Sequence, residues 1–323
     1  MAFSLKDIFG GIAIGSRKPQ SVLGVDIGAS SAKIVQVRLA RGAAVLETYG
    51  EISLSPYAKM PIGKTVKLPP EQVAQARKEV MKEANVTAST AGVSIPFSSS
   101  LIAVLDLPKA DNDQLRRIVP IEARKYIPVP VSDVALDWFV IPKDQGDGGA
   151  FDRINAQSAV QAKGQEILLV AIQNSILQSY QTLTQGCGIT AQFYEIEIFS
   201  AIRSSLKSGL APVLFIDLGA STTKIYIVER GVVRFTHLLT YGGQQMTETL
   251  ARSLGWEFEK AERVKRERGL LQSSAYSLDE NERIKDALLS TLSRVFSEIS
   301  RVVLNYGQRY NKNVAHVVFE GGG

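Results

Sequence analysis

The sequence predicts an α/β protein built of two related halves. Three observations carry that reading: the chain is long enough for about two domains, one hairpin motif occurs twice, and strand-like and helix-like segments alternate along most of it. With 323 residues at roughly 150 per domain, there is chain enough for cores that need neither disulfides nor metals. A composition 45% hydrophobic and 21% charged is that of a folded globular protein.

The duplicated motif is the most informative feature. Residues 22–37 read VLGVDIGASSAKIVQV and residues 213–228 read VLFIDLGASTTKIYIV; nine of the sixteen positions are identical, 191 residues apart. Each copy is an apolar strand, an aspartate, a glycine-bearing turn with small hydroxyl residues, and a second strand with β-branched residues. This is the pattern of a hairpin whose tip runs from Asp26 to Lys33, and from Asp217 to Lys224. Gly28 and Gly219 let backbone approach a ligand, and the amides and hydroxyls around Ser30, Ser31, Ser221, Thr222 and Thr223 suit phosphate oxygens. One such turn is short enough to be an ordinary tight hairpin. Two near-copies at equivalent places predict a polyphosphate gripped from both sides.

The remaining elements follow in order. Ala44–Ser53 continues as strand, 54–70 is a Pro- and Gly-rich loop, and Pro70 opens a helix to about Ala84 with Val73, Ala76 and Val80 on one stripe. Ala91–Pro96 and Leu101–Leu107 read as strands. Asp111 to about Tyr126 reads as a helix capped by Asp111 or Asp113 and kinked or divided by Pro120. Val134–Ile141 and Glu166–Ile172 are strands separated by a Gly-, Asp- and Gln-rich insertion expected to be a mobile loop. The run from about 98 to 172 is a small α/β subdomain inserted in the first half. Asn174–Gln185 is a helix stopped by Gly186 or Gly188, and a second helix lies within Phe193–Leu206. After the second hairpin come a strand at Val232–Leu239, a helix at 244–254 preceded by Gly242-Gly243 and stopped by Gly255, a charged helix at 257–268, and a long amphipathic helix from Leu278 to about Arg309. Val314–Phe319 is a strand entering the turn Glu320-Gly321-Gly322-Gly323. A further strand and helix would normally close that half, so a longer chain is expected.

Several function classes are disfavoured. A single cysteine, Cys187, provides no disulfide framework and fits a reducing compartment. Two histidines, His237 and His316, far apart in sequence, argue against a histidine metal centre. No apolar run approaches the roughly 18–20 residues that span a bilayer, and the short amphipathic opening with Phe3, Leu5, Ile8 and Phe9 is not a signal peptide; a cytoplasmic protein is expected. The net charge of +5 is small, and 252–268 mixes basic residues with glutamates, so nucleic-acid binding is not expected.

These motifs together resemble the actin-like ATPase superfamily, which includes actin, sugar kinases, 70-kDa chaperones and FtsA, and within it the PilM family of type IV pilus assembly. The resemblance rests on Leu23 to Lys33, Phe215 to Thr223, Gly242-Gly243 through Met246-Thr247, Ala261-Glu262-Arg263-Val264-Lys265, and Phe319-Glu320-Gly321-Gly322. It implies a bilobed actin-like (ribonuclease H-like) fold with an FtsA-type small subdomain inserted in the first lobe. First-lobe core would be 20–97 and 173–208, the insertion 98–172, second-lobe core 209–241 and 313–323, and a second-lobe helical subdomain 242–312. It also implies ATP or ADP with Mg²⁺ in the cleft. Asp26, Gly28, Ala29, Ser30, Ser31 and Lys33 match the first phosphate motif; Asp217, Gly219, Ala220, Ser221 and Thr222 match the second, with Asp26 and Asp217 holding the metal through water. Glu262 and Lys265 match a motif facing ribose and base, although their charged helix alone reads as solvent-facing; Gly242, Gly243, Gly321 and Gly322 line the nucleotide.

Glu195 to Ala201 resembles the helix connecting the lobes, with Ile198 where relatives often carry proline. Glu197, or less readily Glu195, would there position water or cation near the terminal phosphate, or simply cap a helix. The resemblance further implies a partner, the N-terminal cytoplasmic peptide of a PilN-like membrane protein, in a groove beside the inserted subdomain. That partner would place the protein at the inner face of the cytoplasmic membrane, where it could meet other pilus platform or motor proteins. Three functions stay open: a nucleotide-controlled scaffold that is at most a slow ATPase, a partner-binder with a vestigial cleft, and a small-molecule kinase, for which no unambiguous acceptor base is present.

Overall fold

The computed structural model describes residues 21–142, 164–186, 188–206 and 211–322. The amphipathic opening, most of the expected mobile loop and Cys187 lie outside these residues. The first copy of the repeat is an antiparallel hairpin of β1 (Ser21–Ile27) and β2 (Ser31–Ala40); the second is β9 (Val213–Leu218) and β10 (Thr223–Glu229). Their registers correspond, Asp26 facing Lys33 as Asp217 faces Lys224.

A third antiparallel strand follows in each half, β3 (Ala43–Ser53) after Arg41-Gly42 and β11 (Val232–Leu239) after Arg230-Gly231. All four linking residues have positive φ, 51° and 78° in the first link and 54° and 77° in the second, the tight two-residue geometry whose twist matches the flanking strands. Each half also carries an irregularity at the same place, between Gln36 and Val37 and between Ile227 and Val228. The duplication therefore reaches beyond the sixteen residues that announce it, into the Arg-Gly links and the paired irregularities.

On the other side of each first strand a parallel strand is added: β4 (Thr90–Ile95) beside β1, and β12 (His316–Gly321) beside β9. Parallel neighbours need crossovers. In the first half the crossover is α1 (Pro70–Glu83); in the second it comprises α5 (Gly243–Leu254), α6 (Phe258–Glu267) and α7 (Leu278–Tyr310). The 33 residues of α7 extend about 50 Å, starting from a capping box between Ser277 and Glu280. With β8 (Thr190–Ile196), the sheets run β3-β2-β1-β4-β8 and β11-β10-β9-β12.

Between β4 and β8 the chain forms a third sheet, ordered β5-β7-β6, from β5 (Ser100–Pro108), β6 (Val134–Val140) and β7 (Gly164–Gln173). One face packs Leu105, Leu107, Ile167 and Leu169 against Leu115, Val119 and Ala123 of α2 (Asn112–Ala123). The other face gives Ile102, Leu168, Val170 and Ile172 to a core shared with Ile95, Ile196, Phe199, Phe215 and Tyr226. That shared core joins first half, insertion and second half. Polar contacts fix the insertion further: Arg234 to Glu166 at 2.6 Å, Arg309 to Asp106 at 2.9 Å, and Thr236 Oγ1 to the Ile102 carbonyl at 3.3 Å.

Two points refine the sequence reading. Pro120 does not divide its helix: α2 runs unbroken from 112 to 123. Its capping box, Asp111 with Gln114, and the buried stripe of Leu115, Val119 and Ala123 offset an interior proline that costs about 3 kcal/mol. The helix expected within Phe193–Leu206 is α4 (Glu197–Ser205), and residues 190–196 before it form the unexpected strand β8, parallel to β4. Its apolar positions are interrupted by Gln192 and Glu195, which hid the strand pattern. Helix α3 (Asn174–Gln185) leads into it as expected.

Candidate functional site

The two hairpin tips close in the same way. The Gly28 N–H donates to the Ser31 carbonyl at 2.9 Å, and the Gly219 N–H to the Thr222 carbonyl at 3.0 Å. Ala29-Ser30 and Ala220-Ser221 thus lie at the turns. The N-terminus of α5 is built onto the second tip, where the amides of Gly243 and Gln244 donate to the carbonyls of Gly219 and Ala220 at 3.0 and 2.9 Å. Thr223 Oγ1 donates to the Tyr241 carbonyl at 2.7 Å, so the linker into Gly242-Gly243 is held against the same tip.

Between the tips lies a floor of ionisable groups. Lys224 is buried, and its Nζ is 2.7 Å from Asp217 Oδ2 and 2.7 Å from Glu197 Oε2. Glu197 is the first residue of α4, and its other oxygen accepts the Phe97 N–H at 2.6 Å. Burial pushes the Glu197 carboxyl up; Lys224 and the Phe97 amide pull it back, while the nearby charge of Asp26 adds to the rise. On Lys224 burial opposes the charge, yet Glu197 and Asp217 outweigh it and its pKa is raised. Asp26, by contrast, makes no side-chain hydrogen bond or ion pair among the described residues. Beside Asp217, burial raises the Glu320 carboxyl, which accepts a hydrogen bond from the Tyr226 hydroxyl.

The glycine end of β12 is pressed onto this floor. Gly321 has φ +105°, and a Cβ there would lie 2.2 Å from the Leu218 carbonyl and 2.7 Å from Asp217 Oδ1. At Gly322 a Cβ would come within 3.5 Å of Lys33 Nζ. Each hairpin lysine thus approaches the opposite half: Lys33 the turn after β12, and Lys224 the glutamate that begins α4.

A wall is added by α6. Glu262 is buried, accepting from Thr247 Oγ1 at 2.5 Å and Arg266 Nε at 2.5 Å and pairing with Lys265 at 2.9 Å. These partners outweigh burial and hold its pKa below the ordinary carboxylate value. Lys265 also donates to the Gly243 carbonyl at 3.0 Å, which links this wall to α5 and the second tip. The wall is roofed by a strap from the first half, residues 59–68. Lys64 pairs with Glu248 at 2.7 Å and lies 4.2 Å from the ring centroid of Phe258. Gln244 Oε1 accepts from the Thr65 amide at 2.7 Å and its hydroxyl at 2.8 Å. At Gly63, φ +95°, a Cβ would fall 2.5 Å from Glu262 Cδ, so only glycine allows this approach. Between Ile62 and the outer side of Glu262, Arg263 and Arg266 is a cavity of about 390 Å³.

The structure therefore brings the second phosphate motif, Gly242, Gly243, Glu262, Lys265, Gly321 and Gly322 into one connected surface, with Asp26 and Lys33 facing it. It separates the two candidate glutamates. Glu195 is buried in an ion pair with Arg203, whereas Glu197 faces the tips. Three features escaped sequence reasoning. Lys224 was available from the repeat, as the counterpart of Lys33. Glu320 and Tyr226 come together only through pairing of β12, β9 and β10. The strap had no signal beyond a Pro- and Gly-rich loop.

Two three-stranded meanders, each extended by a parallel strand, facing one another across paired hairpin tips, define the bilobed actin-like fold. A family model for type IV pilus assembly protein PilM matches residues 24–323, and the chain belongs to that family. Among solved structures it is similar to a PilM-PilN type IV pilus biogenesis complex, at 21% identity over 94% of this chain and 81% of that one, with TM-score 0.71. It is also similar to the ethanolamine utilization protein EutJ from Carboxydothermus hydrogenoformans, at 14% identity over 98% and 81%, with TM-score 0.52. Among the described residues no helix is long and apolar enough to cross a membrane.

Proposed function

We propose that this chain is a nucleotide-controlled scaffold of the type IV pilus inner-membrane platform, binding ATP or ADP between its lobes and a PilN-like N-terminal peptide beside the inserted sheet. The observation that carries the nucleotide reading is the pair of equivalent hairpin tips sharing one floor. With the Gly28 and Gly219 amides closing the turns, it is the amides and hydroxyls at Ala29-Ser30 and Ala220-Ser221 that suit phosphate oxygens. Glu262 and Lys265 are the residues we assign to the ribose, whose hydroxyls would take over bonds that Thr247 and Arg266 make to Glu262.

For Mg²⁺ the two aspartates differ. Asp26, without a competing cation, fits a hydrated metal held beside the phosphates; Asp217 has one oxygen committed to Lys224. When bound, the metal would offset phosphate charge. The partner reading draws support from the similarity to a PilM-PilN complex and from β6, an edge strand of the inserted sheet, where Phe139 is exposed. Such a partner would recruit the protein to the cytoplasmic face of the membrane.

Calorimetric titration with magnesium-ATP tests the cleft: we expect saturable binding, weakened about tenfold or more by Asp26→Ala, which loses about 1.4 kcal/mol or more. A wild-type protein with no affinity for magnesium-ATP or magnesium-ADP refutes it. Co-purification with a PilN-like N-terminal peptide, lost when that peptide is scrambled, tests the partner.

A further inference from the structure

Lys224 occupies an unusual electrostatic position. Its ammonium is shared at 2.7 Å by a carboxylate of its own lobe, Asp217, and by one of the opposite lobe, Glu197. Asp26, from the first tip, adds negative charge that Glu197 feels. One ammonium is thus shared by two carboxylates from opposite lobes, and its position is set by a balance that a further anion between the tips would shift. Its four-carbon stem and rotatable donors allow such a shift with little backbone movement, and a hydrogen bond from ammonium to phosphate is charge-assisted.

A nucleotide with its ribose at Glu262 and Lys265 would direct its phosphates along Gly243 and the second tip toward this floor. A diphosphate ends sooner than a triphosphate. We propose that Lys224 is the residue by which this cleft distinguishes a nucleoside triphosphate from a diphosphate. It stays on Asp217 and Glu197 when the third phosphate is absent, and transfers its bond from Glu197 to that phosphate when it is present. The proposal rests on the nucleotide reading above and adds the state of the nucleotide to it.

Glu197 gives the exchange a consequence. The oxygen that does not hold Lys224 holds the Phe97 amide, in the short turn between β4 and β5 where the inserted sheet begins. Releasing Lys224 leaves Glu197 held by that amide alone, so the third phosphate is reported at the root of the inserted sheet.

The test compares the affinities of magnesium-ATP and magnesium-ADP, measured by calorimetry on the full chain. Wild type is expected to differ between them by about fivefold or more. Lys224→Met should bring the ratio to within about twofold, chiefly by weakening ATP. Because Lys224→Met can destabilise the floor, Glu197→Gln is the second variant. It keeps an acceptor for the Phe97 amide, removes the competing charge, and should tighten ATP several-fold while leaving ADP nearly unchanged. Wild type binding neither nucleotide ends the nucleotide reading and this one with it. Wild type binding both equally, a ratio unaltered in Lys224→Met, or no gain for ATP in Glu197→Gln overturns the sensor alone.

Discussion

The two hairpins share nine of sixteen residues and one register, yet their matching lysines and aspartates stand in different surroundings. Lys33 is half-exposed, its side chain 47% accessible, and 4.0 Å from Glu51. Lys224 is 11% accessible and shared between two carboxylates. Asp26 lacks an ion-pair partner among the described residues, and Asp217 has one. The difference comes from what each half packs beside its tip. α4 brings Glu197 to the second tip, while β3 gives the first only Glu51 on the solvent side. Duplicated sequence set the backbone of both turns; unduplicated neighbours set their electrostatics.

The largest expected effect is on stability. Lys224→Met strips the cation from two largely buried carboxylates, and breaking a buried pair in this way costs about 3–5 kcal/mol. Lys33→Met removes a long, exposed ion pair worth about 0–1 kcal/mol. Urea unfolding of both variants measures the contrast. Equal losses would mean that the two hairpins are energetically equivalent after all.

Next in size is Gly63→Ala, at the strap. A side chain there meets the Glu262 carboxylate and must adopt positive φ, for a cost of about 1–3 kcal/mol. Loss of stability together with faster proteolysis within 59–68 is expected; cleavage at the wild-type rate would show that the strap does not depend on this contact.

Floor and wall should also respond oppositely to pH. Glu197 has its pKa raised in the folded state, so its favourable contribution is complete below the ordinary value of 4.5 and is lost as pH rises through the raised value. Glu262 is held low, so its contribution is present above 4.5 and is lost as pH falls through the lowered value. Unfolding midpoints followed from pH 7 down to pH about 4 should show Glu262→Gln most costly at pH 7 and progressively less so below. Glu197→Gln should gain on wild type as pH rises. Parallel curves for both variants would remove the distinction.

How far this was legible in the sequence follows the same division. Local chemistry was readable: Asp-x-Gly-x-Ser/Thr turns flanked by β-branched strands, Pro70 at a helix start, Gly255 at a helix end. The duplication allowed one half to be read against the other. What escaped depends on contacts distant in sequence. The strand at 190–196 carries Gln192 and Glu195, and Glu195 is tolerated in the core only because Arg203, eight residues on, pairs with it. The strap reads as loop because its partners, Gln244, Glu248 and Glu262, lie about 180 residues or more away and complete its hydrogen bonds from another element. Between Glu195 and Glu197, strand alternation alone would have decided nothing, since both carboxylates point inward. Arg203 claims one and leaves the other to the cleft.

The smallest expected effect concerns Lys64, which joins the strap to the wall. Its pair with Glu248 at 2.7 Å is partly exposed, 28% and 35% on the two side chains, which places it in the range of about 0–1 kcal/mol. Its approach to the Phe258 ring adds about 0.5–1 kcal/mol. Glu248 is also held by Gln244 Nε2 at 2.9 Å, so the wall keeps its shape when the lysine is lost. Lys64→Met should therefore lower the unfolding free energy by about 1 kcal/mol at low salt and by less at high salt, as the ion pair is screened and the ring contact persists. Glu248→Gln in the same background should add almost nothing. A loss several times larger, or one insensitive to salt, would mean that the strap bears the closure of the two lobes through this lysine, and not through Gly63 and the two bonds to Gln244.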